Sequence, residues 1–103
     1  MTSTDVLKAF GDAYLTVYRK SFDRIEIDIR LWDETVAQIV AEQVGSVEDS
    51  GTWECEGLVR LSAADGHPRF AIVDTEQNPT LRFEAGRISY INPDGSTDSL
   101  FSV

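Results

Sequence analysis

Apolar and polar residues alternate most clearly in two stretches. In 24–31, Ile25, Ile27, Ile29 and Leu31 alternate with Glu26, Asp28 and Arg30. That is the period-two pattern of a strand with one dry and one wet face. In 52–62, Trp53, Cys55, Val59 and Leu61 share one parity, while Thr52, Glu54, Glu56, Arg60 and Ser62 share the other. This second stretch reads as the central strand of a sheet. Gly57 falls on its inward parity, where a glycine marks a bulge, a bend or close approach of a neighbour. Trp32 carries on the wet parity of 24–31, which places it at the strand end or in an exposed apolar spot.

The N-terminal stretch has a different period. Val6, Leu7, Phe10, Tyr14, Val17 and Tyr18 recur at three- and four-residue steps, which gathers them on one stripe of a helix. The spacing predicts a helix over 4–21. Ser3 or Thr4 would cap it, Asp5 would sit near its positive end, and Arg19 and Lys20 would occupy its last turn. Residues 35–44 fit two elements. Val36, Ile39, Val40 and Val44 have helical spacing between Asp33 and Gly45, but their β-branched side chains favour a pleated surface, and a strand is the expectation.

Farther on, short apolar runs alternate with turn signals. Residues 45–51 are a polar loop. Ala64-Asp-Gly-His-Pro68, Gln77-Asn-Pro79 and Asn92-Pro-Asp-Gly95 punctuate the chain. A short strand is expected over 69–75, and Ala85-Gly86 joins 81–84 to 87–91 as a hairpin. The tail 99–103 either pairs as a last edge strand or only docks. Short connections make neighbours antiparallel. The fold class expected is therefore α+β, one domain over 1–103 with its N-terminal helix packed on a curved antiparallel sheet of five or six strands, as in a cystatin-like arrangement. Its core would hold Phe10, Tyr14, Val17, Ile25, Ile27, Ile29, Trp53, Cys55, Val59, Leu61 and Phe83.

Composition narrows the function more than the fold. The 103 residues are 42% hydrophobic and carry a net charge of -9, with a pI near 4.3. Direct nucleic-acid binding is disfavoured, because it calls for a basic face. An acidic surface suits a basic protein partner or serves solubility alone. Cys55 is the single cysteine, so neither an intramolecular disulfide nor a cysteine zinc cluster is expected. Its parity makes it a small core residue. The start of the chain lacks signal-peptide character, and no run reaches the ~20 apolar residues that span a bilayer. No membrane association and a cytoplasmic location are the expectations.

Candidate chemistry is sparse. His67 is the only histidine and lies in a turn; a triad or a metal site would need partners from elsewhere. Asp74 shares parity with Phe70 and Ile72, so it is either a strand-end residue reaching water or a pocket acid. The first is the expectation, with Asp74 the leading candidate should the protein be an enzyme. No phosphate loop, metal ligand set or cofactor signature is present in the sequence, and no metal or cofactor is expected. The distinctive feature is a charge gap. Between Arg30 and Arg60 there is no Lys or Arg, while Asp33, Glu34, Glu42, Glu48, Asp49, Glu54 and Glu56 fall inside.

The stretch from Asp65-Gly-His-Pro-Arg-Phe to Leu81-Arg-Phe-Glu-Ala-Gly-Arg-Ile-Ser-Tyr-Ile resembles the last strands of SnoaL-like members of the NTF2-like superfamily. Leu7-Lys-Ala-Phe10 with Ala13-Tyr14 is similar to their first helix. The likeness covers about a third of the chain. It departs from the family where the chain enters Ile25-Glu-Ile-Asp-Ile29 without further helices. It implies a helix held in a curved sheet, a pocket and frequent dimers, and it places no catalytic residue. The expected function is a non-catalytic module that engages a basic protein surface through Trp32, Asp33, Glu34, Glu48, Asp49, Glu54 and Glu56. A homodimer paired through sheet edges is the expected assembly. The alternatives are an NTF2-like pocket protein, enzymatic or small-molecule-binding, and an acidic domain with no charged partner.

Overall fold

The computed structural model describes residues 4–11, 13–49, 51, 54–61 and 68–102. The alternation of 24–31 is realised as β3 (Arg24–Arg30), with Ile25, Ile27 and Ile29 fully buried. β3 pairs antiparallel along its whole length with β4 (Val36–Glu42), Ile27 opposite Ile39. The strand expected over 35–44 is therefore present. β2 (Tyr14–Lys20) flanks β3 on the other side, while β9 (Arg87–Ile91) and β10 (Thr97–Ser102) extend the sheet beyond β4.

A second sheet holds β1 (Thr4–Ala9), β6 (Gly57–Leu61), β7 (Arg69–Val73), β8 (Pro79–Glu84) and β5 (Val47–Asp49), in that order. Every pairing in both sheets is antiparallel. The inner faces share one core. Ile25, Ile27, Ile29, Ile39 and Ile88 come from the first sheet, and Leu58, Phe70, Ile72, Leu81 and Phe83 from the second. Two ring contacts stitch them together: Phe70 meets Phe101 edge-on at 4.9 Å, and Phe10 lies 5.7 Å from Tyr90.

The α+β expectation is overturned. The described chain is all-β, ten strands in two sheets of five, with no helix among the described residues. The stretch 4–21 divides into β1 and β2, which belong to different sheets, and Gly11 at φ 70° lies between them. Its helical spacing has a mechanical cause. A bulge separates Val6 from Lys8 in β1, and another separates Leu15 from Val17 in β2. Each extra residue turns a two-residue step into a three-residue step. Leu15 and Tyr18 consequently both pack against the core. Tyr14 and Val17, expected inside, are 55% and 40% exposed.

The expected central strand is also shorter than 52–62. It begins at Gly57, and its register opposes the parity read from the sequence. Leu58 faces the main core, while Val59 joins Ala71, Val73 and Leu61 in a small cluster of its own. A one-residue slip exchanges the faces in this way. Cys55 remains in the main core because 54–56 precedes the strand. Gly57 does mark a close approach: a Cβ there would lie 3.1 Å from the Lys8 carbonyl oxygen of β1. The loop expected over 45–51 contains β5, paired with β8. Trp53 and His67 lie outside the described residues.

Candidate functional site

Four chain segments meet at one end of the sandwich. Gln38 at the start of β4 pairs with Ile91 at the end of β9, so turns 31–35 and 92–96 share an end of the first sheet. In the second sheet, Glu56 N–H donates to the Val73 carbonyl, so 54–56 lies beside turn 74–78. The two sheets are tied together there. Tyr14 bridges Glu54, Cys55 N–H donates to the Ala13 carbonyl, and Phe10 N–H to that of Glu56. These four segments contain seven carboxylates (Asp33, Glu34, Glu54, Glu56, Asp74, Glu76 and Asp94) and no Lys or Arg.

Three of the acids at this pole build its turns. Asp33 Oδ1 accepts from the Thr35 N–H and hydroxyl, Asp74 Oδ1 from Glu76 and Asn78 N–H at 2.9 Å each, and Asp94 Oδ1 from the Ser96 N–H and hydroxyl. An Asp accepting from the residue two ahead closes an Asx turn. The hydroxyl bond from Thr35, then its N–H, holds the Asp33 carboxyl below the usual aspartate range; Ser96 does the same for Asp94. Asp74, the leading catalytic candidate, thus has one carboxylate oxygen committed to its own hairpin. Glu54 accepts from the Thr75 hydroxyl at 3.2 Å.

An apolar corner adjoins this pole. Tyr14, Arg30 and Val36 form one register row on the outer face of the first sheet, and Val17 lies in the next row. Trp32 stands in the turn beyond, 77% exposed, and Val36 is 53% exposed. Tyr14, Val17, Trp32 and Val36 therefore gather exposed apolar surface beside Asp33, Glu34 and Glu54. Glu34 sits at φ 68°, a left-handed conformation that costs a side-chain-bearing residue roughly 1–2 kcal/mol. Its carboxylate lies 3.5 Å from Arg30.

Of the residues singled out from sequence, Trp32, Asp33, Glu34, Glu54 and Glu56 converge here. Glu48 and Asp49 do not. Glu48 lies on the outer face of the second sheet, 3.5 Å from Arg82. Asp49 accepts from Gly51 N–H at 2.8 Å and lies close enough to Tyr18 to assist burial in pushing that phenol up. The charge gap is partly filled in space: Arg24 reaches Glu42 and Arg82 reaches Glu48 across strands, and Arg30 reaches Glu34 in the turn that follows it. The pattern missed Tyr14, Val17 and Val36 as surface residues, and Asp94 as part of the acidic pole.

Two other features have limited chemistry. Burial, then the charge of Glu56, pushes the Cys55 thiol up to about 12, which suppresses the reactive thiolate. A cleft of about 530 Å³ on the second sheet is bounded by Leu61, Arg69, Pro79, Arg82 and Glu84. Its arginines are matched by Glu84 at 3.6 Å and Glu48 at 3.5 Å. No helix among the described residues is long and apolar enough to cross a membrane.

The chain matches no family model, and neither a curated protein nor a solved structure is significantly similar to it.

Proposed function

We propose that the protein is a non-catalytic binding domain whose acidic pole and apolar corner together engage a basic protein segment. One observation carries the reading: the seven carboxylates, of which Glu34 is paired with Arg30, and the exposed Tyr14, Trp32 and Val36 lie at the same end of the molecule. Scattered exposed apolar residues need no explanation, but a group gathered beside a predominantly acidic rim marks an interaction surface. Carboxylates steer a cationic partner in, and the indole supplies desolvated contact and a face for a Lys or Arg. The unfavourable backbone of Glu34 supports the same reading, since strain of this kind collects at functional positions. A cytoplasmic setting belongs to this proposal.

The test is capture of a basic partner at low salt, followed by washes of rising salt, using wild type, Trp32→Ala and a triple reversal of Glu34, Glu54 and Glu56 to Lys. Binding should fall with salt, since exposed charges are screened beyond about 8 Å at physiological ionic strength. Each variant should weaken it by about tenfold or more. A captured partner that ignores salt and tolerates the triple reversal would refute the proposal.

A further inference from the structure

We infer that the apolar corner accepts a second copy of this chain: the Phe22 hairpin tip of one copy docks against Trp32 and Val36 of the next, end to end. The inference rests on the proposed reading of that corner as a receptor for cationic segments. Among the described residues, the two most exposed large apolar side chains are Phe22, at 94%, and Trp32, at 77%. They stand in the turns at the two ends of β3. Neither belongs to the hydrophobic core. One chain thus carries an aromatic tip and an aromatic corner, both left in water.

β3 holds the two turns apart. Its seven residues, at about 3.3 Å each, separate them by roughly 20 Å. Full-length pairing with β4 and three buried isoleucines make that separation rigid. The tip therefore cannot reach the corner of its own chain, and another copy can. Both patches are hairpin turns, which project past the ends of the sheet. The copies consequently meet end to end, and the contact needs no open strand edge. Each copy added keeps one free tip or one free corner for the next. Unlike patches joined in this way propagate beyond a dimer.

Charge suits this order. Lys20, on one flank of the tip, is exposed and forms no ion pair among the described residues. Arg24, on the other flank, is shared with Glu26 and Glu42. The corner offers Asp33 and Glu54, both exposed, and its Arg30 is matched by Glu34 at 3.5 Å. Lys20 therefore meets carboxylates while Phe22 meets the indole as an offset or edge-on aromatic pair. Within 19–24, Arg19, Lys20 and Arg24 stand against Asp23 alone, in a chain of net charge -9. Docking tip to corner sets each acidic pole against this hairpin. It also keeps successive poles farther apart than the ~8 Å over which exposed charges act at physiological ionic strength.

A contact of one hairpin tip falls below about 1,200 Å² of buried surface, the class of transient associations. Sedimentation equilibrium is therefore scanned up to about 3 mM, where a millimolar contact is occupied. At low salt the wild-type mass should climb past twice the 11.5 kDa chain mass, and added salt should lower it. Phe22→Ala and Trp32→Ala replace exposed side chains, so both should fold, and each should weaken association by about tenfold or more. Mixed together they restore one contact, the tip of the Trp32→Ala chain in the corner of the Phe22→Ala chain. The mixture should rise toward twice the chain mass and stop there. With one component isotope-labelled at a time, amides of 20–24 should move in the Trp32→Ala chain and those of 31–36 in the Phe22→Ala chain. A monomeric wild type, a plateau at two chains, a single variant that still assembles, or a mixture that does not associate overturns the inference. Capture of a basic partner is scored on dilute wild type, where the chains are apart. Capture by a chain that never self-associates would leave the corner to a foreign segment, sinking this inference and sparing the reading it rests on.

Discussion

β2 and β3 are neighbours in one hairpin, and they obey different rules. β3 lies inside its sheet between β2 and β4, with no bulge in its pairing to β4. Its three isoleucines are fully buried. β2 lies at the edge, is interrupted by a bulge between Leu15 and Val17, and leaves both Tyr14 and Val17 substantially exposed. An inner strand covered on one face keeps strict alternation because any slip would expose its apolar row. An edge strand tolerates an inserted residue, and the insertion converts its period from two to three. The lesson is that a bulged edge strand imitates a helix in sequence.

The largest expected effect tests that contrast directly. Ile27→Ala should cost about 2–5 kcal/mol, because the cavity opens in a packed core. Val17→Ala on the neighbouring strand should cost no more than about 0.5 kcal/mol. Denaturant unfolding of both variants measures the difference. Equal costs would mean that β2 is as buried as β3, against its observed exposure. Gly57→Ala comes next, at roughly 1–3 kcal/mol, since its Cβ would press on the Lys8 carbonyl. That cost would also report on whether β1 holds its place beside β6.

How much of this was legible follows the same division. Ile25, Ile27 and Ile29 were readable because an unbulged inner strand writes its burial as plain alternation. The strand over 35–44 was readable for similar local reasons, but the hairpin expected at 85–86 is not formed: β8 and β9, on either side of it, belong to different sheets. β1 and β2 were not readable, since each bulge exists only against a pairing partner, β3 for β2 and the remote β6 for β1, and it is β6 that draws β1 into the other sheet. The acidic pole was half legible. The charge gap pointed to Trp32, Asp33, Glu34, Glu54 and Glu56, but cross-strand arginines pair with Glu42 and Glu48. Asp74 and Asp94 join the pole only because antiparallel pairing stacks hairpin turns at one end.

The pole can be separated from the sheets by relaxing one turn. Glu34→Gly removes the left-handed penalty at φ 68°, offset by the entropy of glycine, so stability should rise by up to about 1 kcal/mol. Capture of a basic partner should fall at the same time, since a carboxylate of the corner is lost. Opposite movements of melting temperature and binding would place Glu34 in function rather than in folding. A variant that neither gains stability nor loses binding would remove the argument from strain.

The smallest effect compares the two ends of β3. Its β2 end is closed by the main-chain bond from Ser21 to Arg24. Its β4 end is closed by the Asp33 carboxylate, which accepts from Thr35. Because those bonds hold the Asp33 carboxyl below its usual 3.8, the ionised form binds the folded state better. The stabilisation is thus complete above the unfolded value and disappears as pH falls through the lower folded value. Asp94 and Ser96 repeat the arrangement in the turn after β9. Titration into strong acid should therefore move the Thr35 and Ser96 amide resonances with midpoints below 3.8, while the Ser21 amide, bonded to a carbonyl, holds its position. Midpoints above 3.8 would reverse the sign, and the acidic pole would then be assembled against its carboxylates instead of by them.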